Sequence, residues 1–309
     1  MPTRTLVIHG GAGLIQRHSL TPDREAACRR DLEAALSAGA AHLSDGGSAL
    51  DAVEAAVRVL EASPFFNAGR GAVLNADGQA ELDASIMVGT GRRAGAVAGI
   101  RRFLHPITIA RRLMEDGQHV MQAGEGAERF ALSQGLEPVP AASLIVPERL
   151  AQWQSRGDGA APTLDHDTDP PMDVYGTVGA VALDATGELA AATSTGGMMH
   201  KRVGRLSDSA LIGAGTWAQS GICAVSCTGH GEYFIRLGAA HRVAALMDLS
   251  GRSLADATAY VLSDLDAMGG TGGLIAVDAA GNVATPFNTA GMFHGVWCEG
   301  DGGRVGIWD

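Results

Sequence analysis

The chain has 309 residues and a net charge of −11, with 46% hydrophobic residues, 43 glycines and only 5% aromatic side chains. This composition indicates a tightly packed α/β protein with many turns, because glycine lets backbones approach each other closely. The arginines occur as scattered pairs without a basic stripe, so nucleic-acid binding is not expected. No apolar run is long enough to cross a bilayer, so no membrane span is expected either.

Cysteine and histidine spacing bears on location and on metal binding. Cys28, Cys223, Cys227 and Cys298 lack metal-type spacing, apart from the loose pair at 223 and 227. Residues four apart on a strand share a face, which favours buried free thiols. Free thiols and an N-terminus without a signal-peptide pattern predict a cytoplasmic protein. The ten histidines form no close pair, and no histidine metal site is expected.

The first third of the chain predicts a strand, a glycine-rich turn and two helices. The apolar strand covers 6–8, and three glycines at 9–13 are typical of a turn. Helices are expected from 21 to about 43 and from 48 to 64, each beginning at a capping hydroxyl. In the loop 65–71 an asparagine lies between two phenylalanines and two glycines. A packed turn is the favoured interpretation, and carbonyl ligation of a hard cation is the alternative.

Strands dominate several later stretches. The segments 72–88, 177–197 and 275–287 each contain an apolar run, a polar turn with glycine and a returning strand, as β-hairpins do. Two more strands are expected at 210–215 and 222–227. Together they predict a largely antiparallel sheet structure.

Four further helices are predicted at 105–117, 124–135, 232–247 and 253–268 from their apolar spacing. These helices flank the strands rather than alternate with parallel strands, which favours two stacked sheets with helices outside them. A polar, proline-containing tether at 155–175 divides the chain covalently. Both sides of it supply strands, so a single domain is expected.

The junction between Gly176 and Thr177 separates this tether from a buried strand. A threonine hydroxyl is a weak nucleophile unless a base adjoins it, and an α-amine on the same residue is such a base. The amine's pKa of about 7.7–8.0 suits general-base catalysis. Cleavage before Thr177 would create this amine, and glycine tolerates a strained scissile position. The alternative, which the dipeptide alone favours, is a plain β-hairpin with threonine at a strand position.

Two later segments carry groups suited to an amino-acid substrate. Arg205 and Asp208 could hold the carboxylate and the ammonium of an amino-acid head, and the alternative is a surface salt bridge. Thr228 and Gly229 lie between a strand and a helix, where a hydroxyl and backbone amides could stabilise an oxyanion. The alternative there is helix capping by Thr228.

Taken together in chain order, the segments described above closely resemble the isoaspartyl peptidase/plant-type L-asparaginase family of N-terminal-nucleophile hydrolases. The resemblance covers about residues 4–295 and rests on the motif series GTVGAVALD, ATSTGG, GRxxD and TGxGE. It implies an α+β fold with four layers, αββα, in one domain covering 1–309. It also implies self-cleavage into 1–176 and 177–309, which stay associated, usually as a dimer of such pairs.

The resemblance also implies roles for individual residues. Thr177 would attack first the Gly176 carbonyl and later the substrate, and Thr195 would tune the Thr177 hydroxyl. Thr228 and the Gly229 amide would form the oxyanion hole. The substrate pocket would comprise Arg205, Leu206, Ser207, Asp208, Thr228, Gly229, His230 and Gly231.

A structural sodium follows from the same resemblance, and Asn67 would lie near the cleaved terminus. The ion would be bound by main-chain oxygens of the loop that ends the second helix. Those oxygens would belong to Leu60, Glu61, Ser63, Phe66, Ala68 and Arg70. No catalytic cofactor is implied.

The implied activity is acyl transfer through a threonine acyl-enzyme. It would convert L-asparagine to L-aspartate and ammonia, or hydrolyse β-aspartyl dipeptides, and the sequence does not rank these two substrates. An aspartylglucosaminidase is one alternative, disfavoured because such relatives are typically secreted or lysosomal. The other alternative is a non-catalytic amino-acid-binding protein that stays uncut, which would need Arg205 and Asp208 but not Thr177.

Overall fold

The computed structural model describes residues 3–18, 20–157, 162 and 176–308. In chain order the strands are β1 Thr5–Gly13, β2 Leu82–Val88, β3 Arg93–Ile100, β4 Met121–Ala123, β5 Val178–Leu183, β6 Leu189–Thr195, β7 Thr216–Gln219, β8 Cys223–Gly229, β9 Gly272–Asp278, β10 Val283–Ala284, β11 Gly291–Cys298 and β12 Gly302–Gly306. The α-helices are α1 Pro22–Ser44, α2 Ala49–Ala62, α3 Pro106–Asp116, α4 Gly124–Ser133, α5 Pro147–Ser155, α6 Gly231–Leu237, α7 Ala239–Ser250 and α8 Leu254–Ala267.

The strands form two sheets stacked face to face. The large sheet has the order β12-β11-β1-β5-β6-β2-β3-β4, and the small sheet has the order β10-β9-β8-β7. Helices α1, α2 and α3 pack on the large sheet, and α7 and α8 pack on the small one. Separate apolar clusters fill the two helix–sheet spaces and the space between the sheets. The predicted αββα sandwich is therefore confirmed.

Helix starts follow their local capping signals. The Thr21 hydroxyl accepts from the Arg24 amide at 3.3 Å, and the Ser48 hydroxyl accepts from the Asp51 amide at 3.1 Å. The first two predicted helices are confirmed. The single predicted helix 232–247 is wrong, because Gly238 adopts a φ of +61° that ends α6 and starts α7.

Two glycine-containing segments were assigned wrongly from sequence, one as a turn and one as a strand. The predicted turn at 9–13 is wrong, because β1 continues to Gly13 and pairs with β11 throughout, with a register shift beside Gly10. The predicted strand 210–215 is also wrong; β7 begins only at Thr216, after a turn in which Gly213 has a φ of +92°. Sheet pairing and positive-φ geometry decide these segments, and neither is visible in a local pattern.

The predicted hairpins differ in outcome. β5 and β6 form the central hairpin as predicted, and β9 with β10 forms the last one. The first hairpin, 72–88, is wrong: Leu74 and Ala80 make an isolated bridge, and β2 pairs instead with β3 and β6. The sequence patterns did not reveal β3, β11, β12 or α5.

Cys223 and Cys227 are buried free thiols on β8, as predicted. Of the predicted tether 155–175, only positions 155–157 and 162 fall within the described residues. None of the helices in the described ranges combines the length and apolar character that crossing a bilayer requires.

Candidate active site

Thr177 lies immediately before β5, at one end of the strand pair in the middle of the large sheet. The register of β5 and β6 pairs Val178 with Ser194, so Thr177 lies opposite Thr195. The Thr177 hydroxyl is buried and donates to Thr195 Oγ1 at 3.0 Å. Thr195 Oγ1 also accepts from the Gly197 amide at 3.0 Å. The hairpin thus brings together two hydroxyls that are separated along the chain.

Asn67 supports the turn that follows Thr195. Its Nδ2 donates to the Gly197 carbonyl at 2.7 Å, and its own carbonyl accepts from the Gly196 amide at 3.0 Å. Its Oδ1 accepts from the Val73 amide at 3.0 Å. The structure therefore places Asn67 beside the hydroxyl pair through this turn.

Thr228 lies on the other side of the Gly176–Thr177 junction. A Cβ at Gly176 would lie 3.1 Å from Thr228 Oγ1, and that oxygen accepts from the Ala12 amide at 3.3 Å. Helix α6 begins at Gly231 and its N-cap, His230, makes no side-chain cap. Helix capping by Thr228 is therefore wrong. The adjacent Gly229 has a φ of +141°, which favours glycine.

Arg205 forms an ion pair, but with Glu232 at 46% side-chain exposure rather than with Asp208. The Arg205 side chain is 16% exposed, and its Nε and Nη2 bond to the two carboxylate oxygens of Glu232 at 2.9 and 2.8 Å. Glu232 occupies the guanidinium edge formed by Nε and Nη2. The other edge, formed by Nη1 and Nη2, lies beside Gly197 and Gly231. A Cβ at Gly197 would lie 3.2 Å from Nη1, and one at Gly231 would lie 3.0 Å from Nη2. This edge can receive a carboxylate in a bidentate manner.

Asp208 is a buried carboxyl group with an unsatisfied oxygen. It is 2% exposed, and within the described residues its Oδ2 has no hydrogen-bond partner. Burial raises its pKa to about 7, although the nearby Arg205 charge opposes this rise. Gly231 leaves space beside the carboxyl group, since a Cβ there would lie 2.7 Å from Oδ1. An unsatisfied buried carboxylate is the group that an ammonium ligand would satisfy.

The remaining predicted pocket residues lie at different depths. Ser207 is buried, and its amide donates to Asp83 Oδ2 at 2.8 Å. His230 Nε2 lies 3.4 Å from Glu232 Oε2. Leu206 lines an open surface groove of about 520 Å³ whose lining does not include Thr177 or Asp208. The structure therefore brings Leu206 to the outside of the arginine–aspartate loop rather than to the hydroxyl pair.

Sequence reasoning missed two charged residues. Glu232 ends the TGxGE motif but was given no role from sequence, whereas in the structure its carboxylate accepts two hydrogen bonds from Arg205 and orients the guanidinium. Lys201 is 1% exposed and donates from Nζ to the Glu81 carbonyl at 2.7 Å, and burial lowers its pKa. A Cβ at Gly197 would lie 3.0 Å from Lys201 Nζ. Lys201 and Arg205 therefore flank this turn with positive charge, which the glycine-rich sequence around them did not indicate.

Several carbonyl oxygens at the end of α2 and in the loop after it lie close to the glycines of that loop. A Cβ at Gly71 would overlap the Phe66 carbonyl and lie 2.9 Å from the Ser63 oxygen. A Cβ at Gly69 would overlap the Glu61 carbonyl. Main-chain oxygens are suitable ligands for a hard cation, so these donors are chemically compatible with sodium, whose binding here stays a prediction. The Arg70 side chain is exposed. In the described ranges no three His, Cys, Asp or Glu side chains converge on a possible metal site.

The four-layer fold and the hydroxyl pair at the end of its central hairpin are typical of the N-terminal-nucleophile class of hydrolases. A family model described as asparaginase matches residues 2–307. The chain belongs to this asparaginase family, and it is a hydrolase.

Individual relatives align along their full lengths. The chain is 48% identical over 312 residues to an isoaspartyl peptidase of Salmonella typhimurium, covering 100% of this chain and 99% of that protein. It is also 48% identical over 312 residues to an isoaspartyl peptidase of Escherichia coli, covering 100% and 97%. A probable isoaspartyl peptidase/L-asparaginase 2 of Arabidopsis thaliana is 39% identical over 325 residues, covering 98% of each chain.

Proposed function

We propose that this chain is a self-processing amidohydrolase that acts on L-asparagine and on β-aspartyl dipeptides. One observation carries the proposal: the 195–197 turn connects a buried threonine hydroxyl pair to a guanidinium edge, and beside that edge lies a carboxyl group with one oxygen unpaired among the described residues. The names of the aligned relatives support the same substrates.

Self-cleavage creates the catalytic amine. The Thr177 hydroxyl attacks the Gly176 carbonyl carbon, the peptide C–N bond breaks, and an ester joins Gly176 to Thr177 Oγ1. Water then hydrolyses that ester, which leaves a carboxylate on Gly176 and a free α-amine on Thr177. The Thr228 hydroxyl lies beside Gly176 and can donate to the oxyanion of the tetrahedral intermediate.

Turnover uses the same hydroxyl with the new amine as its base. The amine removes the Thr177 hydroxyl proton as the oxygen attacks the side-chain amide carbon of the substrate. Before the attack, Thr195 Oγ1 accepts a hydrogen bond from the Thr177 hydroxyl. Once Thr177 is deprotonated, Thr195 can donate its own proton to the oxygen instead and stabilise it. Ammonia or an amino acid leaves, and water releases aspartate from the acyl-enzyme.

Substrate orientation comes from opposite charges on one loop. The free edge of Arg205 binds the α-carboxylate, and ionised Asp208 binds the α-ammonium. Both groups belong to the aspartyl head that asparagine and β-aspartyl dipeptides share. Lys201 Nζ lies by the same turn and adds to the positive potential beside the carboxylate.

The proposal includes the supporting features that the family resemblance implies. The products 1–176 and 177–309 stay associated in one domain, as dimers of such pairs, in the cytoplasm. Sodium is held by main-chain oxygens of the loop after α2, including those of Glu61, Ser63 and Phe66. The ion would stabilise the loop that carries Asn67 and would take no part in the chemistry.

The test is the mass of the denatured protein after incubation near pH 7.5, followed by assay of ammonia release from asparagine. We expect two fragments that meet between Gly176 and Thr177. Thr177→Ala should remain one chain of 31.6 kDa and be inactive. Thr186→Ala, at the exposed turn of the same hairpin, is the matched control and should cut normally. An intact wild-type chain that persists for days would favour the binding-protein alternative, and preference for a glycosylated asparagine would favour an aspartylglucosaminidase.

A further inference from the structure

A series of hydrogen-bonded, buried hydroxyl groups leads through His9 to the backbone carbonyl of Thr177, the residue proposed as nucleophile. Ser85 Oγ lies 2.8 Å from Thr216 Oγ1, which lies 2.6 Å from Thr193 Oγ1. Thr193 Oγ1 lies 2.7 Å from Ser226 Oγ, which lies 2.9 Å from His9 Nε2. His9 Nδ1 lies 2.9 Å from the carbonyl oxygen of Thr177.

This series of bonds crosses the space between the sheets four times. Ser85, Thr193 and His9 belong to β2, β6 and β1 of the large sheet, whereas Thr216 and Ser226 belong to β7 and β8 of the small sheet. All five residues are 0% exposed. The surrounding intersheet space is filled by an apolar cluster. A polar path through an apolar layer has to be fully satisfied to be tolerated.

Proton counting determines the direction of the bonds from Thr216 to Thr177. A carbonyl oxygen can only accept a hydrogen bond, so His9 Nδ1 carries a proton and donates a hydrogen bond to the Thr177 carbonyl oxygen. Burial lowers the pKa of His9 to about 3, so the ring is neutral and Nε2 is an acceptor. Ser226 must then donate to His9, Thr193 to Ser226, and Thr216 to Thr193. Ser85 lies outside the directed part of the series, because its one proton has two acceptors within reach, Thr216 Oγ1 at 2.8 Å and the Ser209 carbonyl at 2.7 Å.

Gly179 leaves room for the contact between Ser226 and His9 because it has no side chain. A Cβ at Gly179 would overlap Ser226 Oγ and lie 2.5 Å from His9 Nε2. Gly179 is on β5, two residues after the proposed nucleophile. A glycine here is therefore required by the contact between His9 and Ser226, not by the strand itself, in which glycine is unfavourable.

We propose that His9 is a positioning residue, and that the directional hydroxyl chain behind it locks the Thr177 backbone for attack. Cleavage would make Thr177 a chain end, and chain ends fray unless they are held. His9 holds the carbonyl of Thr177 and leaves its hydroxyl and its amine free to react. This inference rests on the proposed role of Thr177 as nucleophile.

The first test is the tautomer of His9, which is independent of activity. In nitrogen NMR of ¹⁵N-histidine-labelled Thr177→Ala protein, His9 should appear as a neutral ring with a protonated Nδ1 that does not titrate between pH 8 and 5. The signal is assigned by its loss in His9→Gln. A ring protonated at Nε2, or one that titrates near its ordinary pKa, would overturn the inference even if the enzyme proves to be an asparaginase.

The second test is the split between kcat and KM in cleaved protein. Ser226→Ala and Thr193→Val should lower kcat by roughly ten- to a hundredfold, the effect of leaving one buried group unsatisfied. KM should change less than about threefold, because no member of the chain contacts the substrate. Thr258→Val is the matched control: this buried hydroxyl bonds only to helix carbonyls of α8 and should leave kcat unchanged.

Gly179→Ala provides a further comparison with Gly126→Ala, a glycine in α4 with nothing within 4 Å of a new Cβ. The first should slow both self-cleavage and turnover, whereas the second should be neutral. Normal kcat in Ser226→Ala and Gly179→Ala would refute the positioning role alone. Absence of activity in wild-type protein, with the Nδ1 tautomer intact, would refute the proposed function instead.

Discussion

Asp208→Asn should make the protein more stable and much less active. The carboxyl group is buried with one unsatisfied oxygen, and its folded-state pKa is about 7 against an ordinary value of 3.8. Below about pH 3.8 the carboxyl group is protonated in both the folded and the unfolded protein. As the pH rises from 3.8 to about 7 the unfolded state ionises first, so the free energy of unfolding falls, and above about pH 7 the buried carboxylate destabilises the folded protein by a constant amount.

The magnitude follows from this pKa difference. Each unit corresponds to about 1.4 kcal/mol, so ionisation costs at most about 4 kcal/mol at pH 8 and below about 1 kcal/mol at pH 4. Replacing the carboxyl by a neutral amide removes this cost at pH 8. Turnover should fall roughly 30-fold to several-thousand-fold in kcat/KM, because the substrate ammonium loses its buried partner.

Urea unfolding followed by circular dichroism at pH 4 and pH 8 measures the stability difference. Both proteins should carry Thr177→Ala, so that a single uncut chain is compared. Asp264→Asn is the control, since Asp264 forms a partly exposed ion pair with Arg242 that contributes little. Equal stabilisation at both pH values, or destabilisation at pH 8, would show that the Asp208 carboxylate has a partner in the free protein.

Three further predictions concern the same site. Arg205→Lys keeps the charge but loses the planar fork, so kcat/KM should fall about ten- to a hundredfold while self-cleavage, followed by gel, proceeds at the wild-type rate; equal loss of both would contradict the carboxylate-binding role. Gly231→Ala places a methyl group 2.7 Å from Asp208 Oδ1 and 3.0 Å from Arg205 Nη2, so it should displace both side chains, raise KM more than tenfold and lower the melting temperature; an unchanged KM would mean that the substrate lies elsewhere. His9 is neutral when folded and its pKa is lowered to about 3, so its contribution to stability is present above about pH 6.5 and is lost as the pH falls towards 3. In a Thr177→Ala background, His9→Gln should therefore flatten the acid limb of the urea-stability profile, by about 3 kcal/mol at pH 4; an unaltered acid limb would mean that His9 is accessible to protons.

The pKa shifts of Asp208 and His9 affect stability with opposite signs over the same pH range. Between about pH 4 and pH 6.5 the wild-type protein loses stability from Asp208 and gains it from His9 as the pH rises. A nearly flat profile in wild-type protein is therefore compatible with two large opposing contributions. Only the single variants separate them.

Sequence alone identified the features that depend on neighbouring residues. Thr21 and Ser48 cap their helices through amides three positions away. The β5–β6 hairpin was visible because its turn, its alternation and its glycine all lie within one short segment. The motif series containing Gly176–Thr177 and Arg205 also indicated the family, and the four-layer fold with it. Such signals are local, or rest on an ordered set of short motifs, and need no knowledge of packing.

The tertiary structure decided what each polar side chain contacts. Glu232 meets Arg205, and His9 meets Ser226, only because separate strands and helices converge there. Whether a carboxyl such as Asp208 stays unsatisfied depends on every element packed around it. The continuation of β1 through its glycines depends on pairing with β11, which lies at the far end of the chain. Sequence therefore indicated which residues could react, whereas long-range packing set the partners, the burial and the pKa values that make the site.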